Sequence, residues 1–370
     1  MPDVRVIDSL AQVGPAAWDR LFPGELESYD YLMAVEAAGL EGFRWRYLLA
    51  EERGRLVAAA PAFLTDYPLE TTLDGAARRL AQGVQRIAPG ALTLRLACIG
   101  SPCTETALLG FAPEVATTCR PTVLKAMIAG FQQTAAREGC SLLGVKDVAD
   151  HAAWLWDEAA WPFGYRAIAS LPSADLDIDF ATVDTYLNSL SPGTRKDMRR
   201  KLRALDQVRV EVRDDIDDVL DRVMALYHET RSRADMALEE LTPAYFQGVL
   251  RAMHGRAFCT LYWQGGDLLA ANLLLQSGDT LLDKFFCMDA ERGRPLNLYF
   301  LSWFTNVRLC LERGLGRYRS GQAGYENKLR LGSQVTGTAN YFRHRNAVLN
   351  GGLRLLAPLF AADPVARSAA

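Results

Sequence analysis

Tyr47-Leu48-Leu49-Ala50-Glu51-Glu52-Arg53-Gly54-Arg55-Leu56-Val57-Ala58-Ala59 has a counterpart in Thr260-Leu261-Tyr262-Trp263-Gln264-Gly265-Gly266-Asp267-Leu268-Leu269-Ala270-Ala271. Each stretch is an apolar strand, a polar turn containing Gly, and a second apolar strand that runs into small residues. A second echo follows each. Arg120-Pro121 opens a helical stretch that closes at Arg137-Glu138-Gly139 and leads to Leu142-Leu143-Gly144-Val145. Arg294-Pro295 opens another, which closes at Glu312-Arg313-Gly314 and leads to Leu315-Gly316-Arg317-Tyr318. The order hairpin, helix, strand occurs twice, so the chain reads as a tandem duplication.

The 370 residues suit two domains, and 49% apolar residues are enough for two cores. A net charge of −3 gives no global attraction to nucleic acid or to an anionic membrane. Seven cysteines, Cys98, Cys103, Cys119, Cys140, Cys259, Cys287 and Cys310, are scattered and form no CxxC pair. Reduced thiols and a cytoplasmic location are expected. The histidines, His151, His228, His254 and His344, have no ligand spacing, so no metal is expected. No signal-peptide pattern and no bilayer-length apolar run are read.

Residues 15–39 read as helical, followed by the first hairpin. Residues 66–103 have no counterpart in the second copy and read as an insertion, with a helix over Ala76–Ile87 and a strand over Leu92–Ile99. Helices over 121–138 and 151–160 complete an N-terminal copy expected to span 1–172. The alternation in Ala174-Asp175-Leu176-Asp177-Ile178-Asp179-Phe180 predicts a strand with one wet face. The second copy, 173–350, opens with a basic helix over Ser191–Leu205. Helices over Ile216–Ser232 and Pro243–Met253, the second hairpin, a strand over Leu281–Met288, a helix from Pro295 and a strand over Arg317–Arg319 follow. Residues 351–370 read as a tail.

Three stretches carry a family resemblance. They are the basic helix Leu190–Leu202, the Gly-rich segment Ser320–Gly332, and Gly164-Tyr165 followed by the Asp-rich bridge. With the element order, they resemble the GNAT (N-acyltransferase) superfamily in its tandem, Fem-type and BioF2-like branch, over most of residues 20–346. The resemblance implies an α/β fold with a mixed sheet, a duplicated GNAT architecture. It also implies transfer of an acyl or aminoacyl group to an amine. The donor would be acyl-CoA, an acyl-carrier protein or aminoacyl-tRNA. The usual pyrophosphate loop is replaced by Arg292-Gly293-Arg294-Pro295-Leu296-Asn297, and the coiled-coil arm of some Fem-type enzymes is absent.

Candidate site residues concentrate between 191 and 332. The turn with Arg292, Arg294 and Asn297 enters a helix whose first amides have no internal partner, which suits a donor phosphate; a Pro-started helix with solvated arginines fits equally. Arg195, Arg199 and Arg203 stack at helical spacing and offer an anion site, or else a solvated face. Glu326 is a candidate proton acceptor, Lys328 a candidate oxyanion or acceptor ligand, and Tyr325 or Tyr318 a candidate leaving-group acid, with Gln322 beside them. A surface loop with a Glu–Lys pair is the plain alternative. Asp283 and Lys284 interrupt an apolar strand and face either the cleft or a salt bridge at the edge. In the family pattern, the backbone of this strand near Phe286 and Cys287 contacts the donor carbonyl. Tyr227, His228 and Arg231 lie on the helix where an acceptor is expected. His228 has a pKa of about 6.5 when unperturbed, which suits a base, though a helix histidine is more often structural.

The expected activity is N-acyl transfer from a thioester to a small-molecule amine by direct attack, with no covalent enzyme intermediate. The second copy would carry the chemistry and the first would serve as scaffold and acceptor wall. Two alternatives stay open: an aminoacyl-tRNA-dependent transferase acting on a cell-wall precursor or small amine, and a non-catalytic RNA-binding or adaptor protein on the same fold.

Overall fold

The computed structural model describes residues 2–68, 93–233 and 238–352. Thirteen strands are present among them: β1 (Asp3–Ile7), β2 (Arg44–Glu52), β3 (Arg55–Pro68), β4 (Thr93–Ile99), β5 (Gly110–Phe111), β6 (Leu142–Ala149), β7 (Arg166–Asp177), β8 (Arg209–Arg213), β9 (Ala257–Gln264), β10 (Asp267–Ser277), β11 (Thr280–Met288), β12 (Arg317–Arg319) and β13 (Gln334–His344). The helices are α1 (Pro15–Asp19), α2 (Tyr29–Ala37), α3 (Arg120–Arg137), α4 (Asp150–Ala160), α5 (Val183–Ser189), α6 (Pro192–Leu202), α7 (Leu220–Arg231), α8 (Pro243–Ala252), α9 (Ala290–Gly293), α10 (Leu298–Arg313) and α11 (Tyr325–Arg330). The helix expected over Ala76–Ile87 and most of the expected tail lie outside the described residues.

The chain forms two compact units. One comprises the residues up to Pro23, Glu41–Leu171 and the stretch from Gly337; the other comprises Gly24–Leu40 and Pro172–Thr336. The division at Leu171/Pro172 lies one residue from the expected 172/173 boundary, but neither half of the chain is self-contained. In the first unit β1, β2, β3 and β4 pair antiparallel in turn, β4 pairs β6 in parallel, and β13 closes the order antiparallel to β6. The second unit repeats this: β8, β9, β10 and β11 pair antiparallel, β11 pairs β12 in parallel, and Asp175–Asp177 of β7 closes the order antiparallel to β12. The closing strand of the first unit therefore comes from the C-terminal half of the sequence, whereas the second unit takes Gly24–Leu40 from the N-terminal half. Contiguous halves were expected because a local pattern marks a strand but not its partner.

Residues 15–39, expected as one helical stretch, form two separate helices, and α2 belongs to the second unit. There the Tyr31 hydroxyl lies 2.9 Å from that of Tyr245, and Thr242 Oγ1 donates to the Ala38 carbonyl at 2.6 Å. Thr242 also caps α8, which opens with Pro243, and Ser191 caps α6, which opens with Pro192. Strands β1, β8 and β13 have no clear signature in the sequence, since their alternation is short or heavily charged.

The first core packs Leu124, Met127 and Phe131 of α3 against Leu48, Ala60, Ala97 and Leu143. A Cβ on Gly130 would stand 2.7 Å from the Val4 side chain, so the close passage of α3 over β1 requires glycine. The second core packs Trp303, Phe304, Val307 and Cys310 of α10 against Leu274, Leu281 and Tyr318. Gly314, in the left-handed region at φ 66°, ends α10.

Candidate active site

In the second unit, β11 and β12 run side by side for three residues, Thr280–Leu282 against Arg317–Arg319, and then part. β11 continues for six more residues along β10, whereas β12 stops. Past Leu282 the edge of β11 that faced β12 has no partner strand among the described residues, which leaves main-chain donors along the gap. The register of β10 and β11 shifts here: Leu273 opposes Phe285 and Leu274 opposes Asp283, so Lys284 is the extra residue of a β-bulge. The bulge splits the charged pair. Asp283 turns toward α10, while Lys284 and Phe285 turn toward α2 and α7.

Asp283 is the centre of a polar cluster inside the fork. Its Oδ2 accepts from the Tyr318 hydroxyl at 2.8 Å and from Asn306 Nδ2 at 3.1 Å. Asn306 also donates to the Tyr318 oxygen at 2.9 Å. Asp283 is partly exposed, yet its immediate surroundings are dry. Burial lifts its carboxyl to about 6, against the lowering effect of hydrogen bonds from Tyr318 and Asn272 and of the Lys328 charge. Burial, together with the Asp283 charge, holds the Tyr318 and Tyr299 hydroxyls protonated far above the usual range. The Tyr299 hydroxyl and the side-chain oxygens of Asn272 and Asn306 are buried and have no hydrogen-bond partner among the described residues. A Cβ on Gly324 would lie 3.8 Å from the Tyr299 hydroxyl, which places that donor beside the Gly-rich loop. The cluster thus combines a carboxylate titrating near neutrality, a phenol with an unused donor, and two unused amide oxygens.

Lys284 forms a buried ion pair with Glu27, with side-chain exposures of 7% and 5%, and lies over the Tyr31 ring at 5.1 Å. The charge in the apolar strand is therefore neutralised by a residue some 257 positions away in sequence. Of the sequence alternatives, a salt bridge is present at Lys284, buried rather than at the strand's edge, while Asp283 enters the Tyr318–Asn306 cluster on the other side of the strand.

The Gly-rich segment is organised differently from expectation. Tyr325–Arg330 is a short helix, entered through Gly324 at φ 65°. Lys328 is 4% exposed, and its ammonium donates to the carbonyls of Ser320, Gly321 and Gln322 at 2.6, 2.8 and 3.3 Å. It therefore holds the loop rather than a ligand. Lys328→Met would strand three carbonyls and is expected to lower the thermal midpoint by about 5 °C, on the order of 2 kcal/mol, measured by differential scanning calorimetry. The Tyr325 hydroxyl is buried and donates to the Pro172 carbonyl at 2.8 Å, so it anchors the loop instead of serving as an acid. Glu326 is exposed on α11 and makes no hydrogen bond to the fork residues.

Other expected residues also lie away from the fork. The His228 side chain is 54% exposed, with Glu240 3.6 Å away, and Arg231 is held by Glu240 and the Glu239 carbonyl. The Tyr227 hydroxyl accepts from the Leu241 amide, so only its ring, tilted 56° against Phe285 at 4.9 Å, borders the strand. Arg292 pairs with Asp267 at 2.9 Å in a cleft of about 590 Å³ that is also lined by Asp218, Asp221, Asp289 and Arg222. Four carboxylates against two guanidiniums repel a phosphate. Arg294 is exposed, and Asn297, at φ 56°, caps α10. Phe286 packs edge-on to Tyr262 and Tyr299, and the Cys287 thiol is buried and pushed up to about 12, which removes it as a nucleophile. On α6, Arg195 and Arg199 donate to Asn188 and Arg203 is exposed. Lys201 of the same helix lies 3.5 Å over the ring of Phe300 in the first turn of α10.

The first unit has the same fork, closed by its own chain. β4 and β6 run parallel to Ile99 and Val145, and β4 ends there. The returning loop fills the gap: Lys146 donates to the Thr104 carbonyl at 2.8 Å and pairs with Asp147, and Ala107 donates to the Asp147 carbonyl at 2.8 Å. Ser170 donates to Asp147 Oδ1 at 2.7 Å.

Among the described residues, no group of His, Cys, Asp and Glu is arranged to hold a metal, and no helix is long and apolar enough to cross a membrane. Residues 192–329 match the family described as acetyltransferase (GNAT) domain. Two curated Mycobacterium tuberculosis proteins, from strains CDC 1551 / Oshkosh and ATCC 25618 / H37Rv, are each called putative 8-amino-7-oxononanoate synthase 2. They are 25% identical over 325 residues, covering 85% of this chain but only 42% of their own length. FemX superposes with a TM-score of 0.61 at 14% identity, over 95% of this chain and 100% of its own. A tandem GNAT protein from the clavulanic acid biosynthesis pathway gives 0.52 at 13% identity, over 93% and 99%. The chain has the fold of these FemX and tandem-GNAT structures, and its residues 192–329 match the acetyltransferase (GNAT) domain family.

Proposed function

We propose that the second unit moves an acyl group from a thioester donor, acyl-CoA, to a small-molecule amine at the β11/β12 fork. The observation that carries this is Asp283, a carboxylate at about 6 placed where the strands part. An amine that reaches the fork needs a proton acceptor that is ionised at neutral pH yet still basic, and Asp283 meets both conditions. The free edge of β11, including the main chain of Phe286 and Cys287, offers donors for the thioester carbonyl. The unused Tyr299 hydroxyl can protonate the departing thiolate. The 16-residue helix α10 follows this strand after the short α9, and Lys201, which also pairs with Asp197, lies over its first turn, which suits the donor's phosphates. The amine nitrogen bonds to the acyl carbon and gives a proton to Asp283, the C–S bond breaks, the thiolate takes the Tyr299 proton, and Asp283 gives its proton to solvent, from which Tyr299 is reprotonated. The first unit, with its fork closed by Lys146 and Asp147, serves as scaffold.

An aminoacyl-tRNA donor is favoured by one observation: Lys196, Arg199, Arg200, Arg203 and Arg330 are all exposed, so basic groups outnumber the single carboxylate, Asp197, that pairs with Arg200 and Arg330. Native mass spectra with CoA, a series of acyl-CoAs, acyl-carrier protein and bulk tRNA separate the donors. Retention of a CoA species is the expected result, and retention of tRNA alone overturns it. In that second case Arg199→Ala with Arg203→Ala should weaken binding and flatten its salt dependence by about two phosphate contacts, read by filter binding.

A further inference from the structure

A cavity of about 390 Å³ opens in the first unit, with Ala129, Gln132 and Ala136 of α3 on one side and Leu143, Arg343 and Arg345 on the other. Two periodicities build it. Ala129, Gln132 and Ala136 are three and four residues apart, so they share one stripe of the helix. Along β13, Tyr341 opposes Val145 and Arg343 opposes Leu143, and the ladder continues past the strand, where the Arg345 amide donates to the Ser141 carbonyl at 2.9 Å. Tyr341, Arg343 and Arg345 therefore leave the sheet on one face, and Tyr341 packs there in the core that holds Phe131 and Ala135 of α3. No carboxylate lines the cavity, and neither arginine forms an ion pair among the described residues. Arg345 donates only to the Cys140 carbonyl, at 3.3 Å. Glu138, just past α3, is held by Arg44 and Arg46. The last carbonyls of α3, those of Thr134, Ala135 and Ala136, already accept from the amides of Glu138, Cys140 and Gly139. Gln132 Nε2 and the Tyr165 hydroxyl are buried, and the two groups sense each other without reaching hydrogen-bond geometry. Arg343 Nε would stand 3.9 Å from a Cβ on Gly164, the residue before Tyr165.

We propose that this cavity binds a small organic phosphate ester, whose dianionic head is held by Arg343 and Arg345 with Gln132 as a further donor. Two guanidiniums that share a cavity without a counter-anion repel each other, and a phosphate dianion cancels both charges. The planar fork of each arginine bonds two phosphate oxygens at once. Ala129, Ala136 and Leu143 give the carbon part of the ester an apolar wall, and the volume suits a small ligand. The cavity lies at the start of β6, whereas the fork of this unit lies past Val145, so it is not a second copy of the site proposed in the second unit. The first unit is then a ligand-binding unit as well as a scaffold, and this holds whether or not the amide-forming reading does.

Saturation-transfer NMR of the full chain with phenyl phosphate, and with phenol as the uncharged counterpart, tests this. The intact protein should bind phenyl phosphate with a Kd of about 1 mM or tighter, and phenol about tenfold or more weakly than that. Arg343→Gln should weaken phenyl phosphate binding about tenfold or more, and Arg345→Gln about threefold or more. Lys201→Met, beside the helix proposed to hold the donor's phosphates, should leave it within about twofold. Failure of the wild type to bind phenyl phosphate overturns the proposal. So does equal binding by wild type and Arg343→Gln, or a loss with Lys201→Met in place of Arg343→Gln. If Arg343→Gln does not fold, Ala129→Glu decides: it brings a competing carboxylate to the cavity wall, so abolished binding supports the proposal and unchanged binding overturns it. CoA retention, measured on the same samples, reports separately on the donor, so this proposal and the donor reading fail independently.

Discussion

Asp283→Asn is expected to lower kcat by about two to three orders of magnitude while leaving the fold and CoA binding intact. The substitution removes the proton acceptor at the fork and little else. The new amide accepts from Tyr318 as the carboxylate did, and its NH2 group finds the side-chain oxygens of Asn272 and Asn306, both without partners among the described residues. Wild-type kcat/KM should rise with pH through about 6, as Asp283 loses its proton, and then level off; the variant should lack this limb. Stability should run the other way. The folded-state pKa is raised, so between roughly pH 4 and 6 the native state keeps a proton that the unfolded chain has released. That contribution is fully present below the unfolded pKa and is lost as pH rises through 6. Asn carries no such loss, so the variant should unfold at the same or a higher temperature than wild type at pH 7.5. Calorimetry and stopped-assay kinetics on the same preparation check both halves. An unchanged kcat would remove Asp283 from the mechanism.

Lys284→Met is expected to lower stability by about 3–5 kcal/mol, because it leaves the Glu27 carboxylate buried and unpaired. For a unit of this size that corresponds to a fall of roughly 10 °C in the unfolding midpoint. Glu27→Gln combined with Lys284→Met should recover most of the loss, since replacing both members of a buried pair removes the desolvation cost along with the attraction. The double-mutant cycle reports the coupling directly. A single-mutant loss below about 1 kcal/mol would mean that the pair is solvated in solution. Activity should fall with Lys284→Met for a separate reason: the pair with Glu27 holds the β11 bulge next to Asp283.

The duplication was legible because each copy repeats a hairpin, a Pro-started helix and a short strand, and these patterns are local. Helices α3, α4, α6, α7 and α8 and strands β11 and β12 fall within a few residues of where their periodicity and capping residues place them. Asp283 was also visible, since a carboxylate inside an apolar strand calls for a partner or a function. Tyr299, Asn272 and Asn306 gave no such signal: polar side chains on a helix or strand become notable only when burial leaves them unsatisfied. Lys328, Tyr325, His228 and Arg292 read as site residues because sequence shows that a side chain can donate or accept, not who already occupies it.

Taken alone, the sequence determined the element types, their order and their repetition, because side-chain periodicity and caps act over a few residues. The tertiary structure decided which strand closes each sheet, where α2 packs, and which charges cancel. These depend on contacts such as Lys284 with Glu27 and β13 with β6, between residues far apart in sequence, where hydrogen-bond satisfaction and burial choose among many compatible partners. The same long-range choice left Asp283 ionisable near neutrality at an open fork and closed the equivalent fork of the first unit with Lys146 and Asp147.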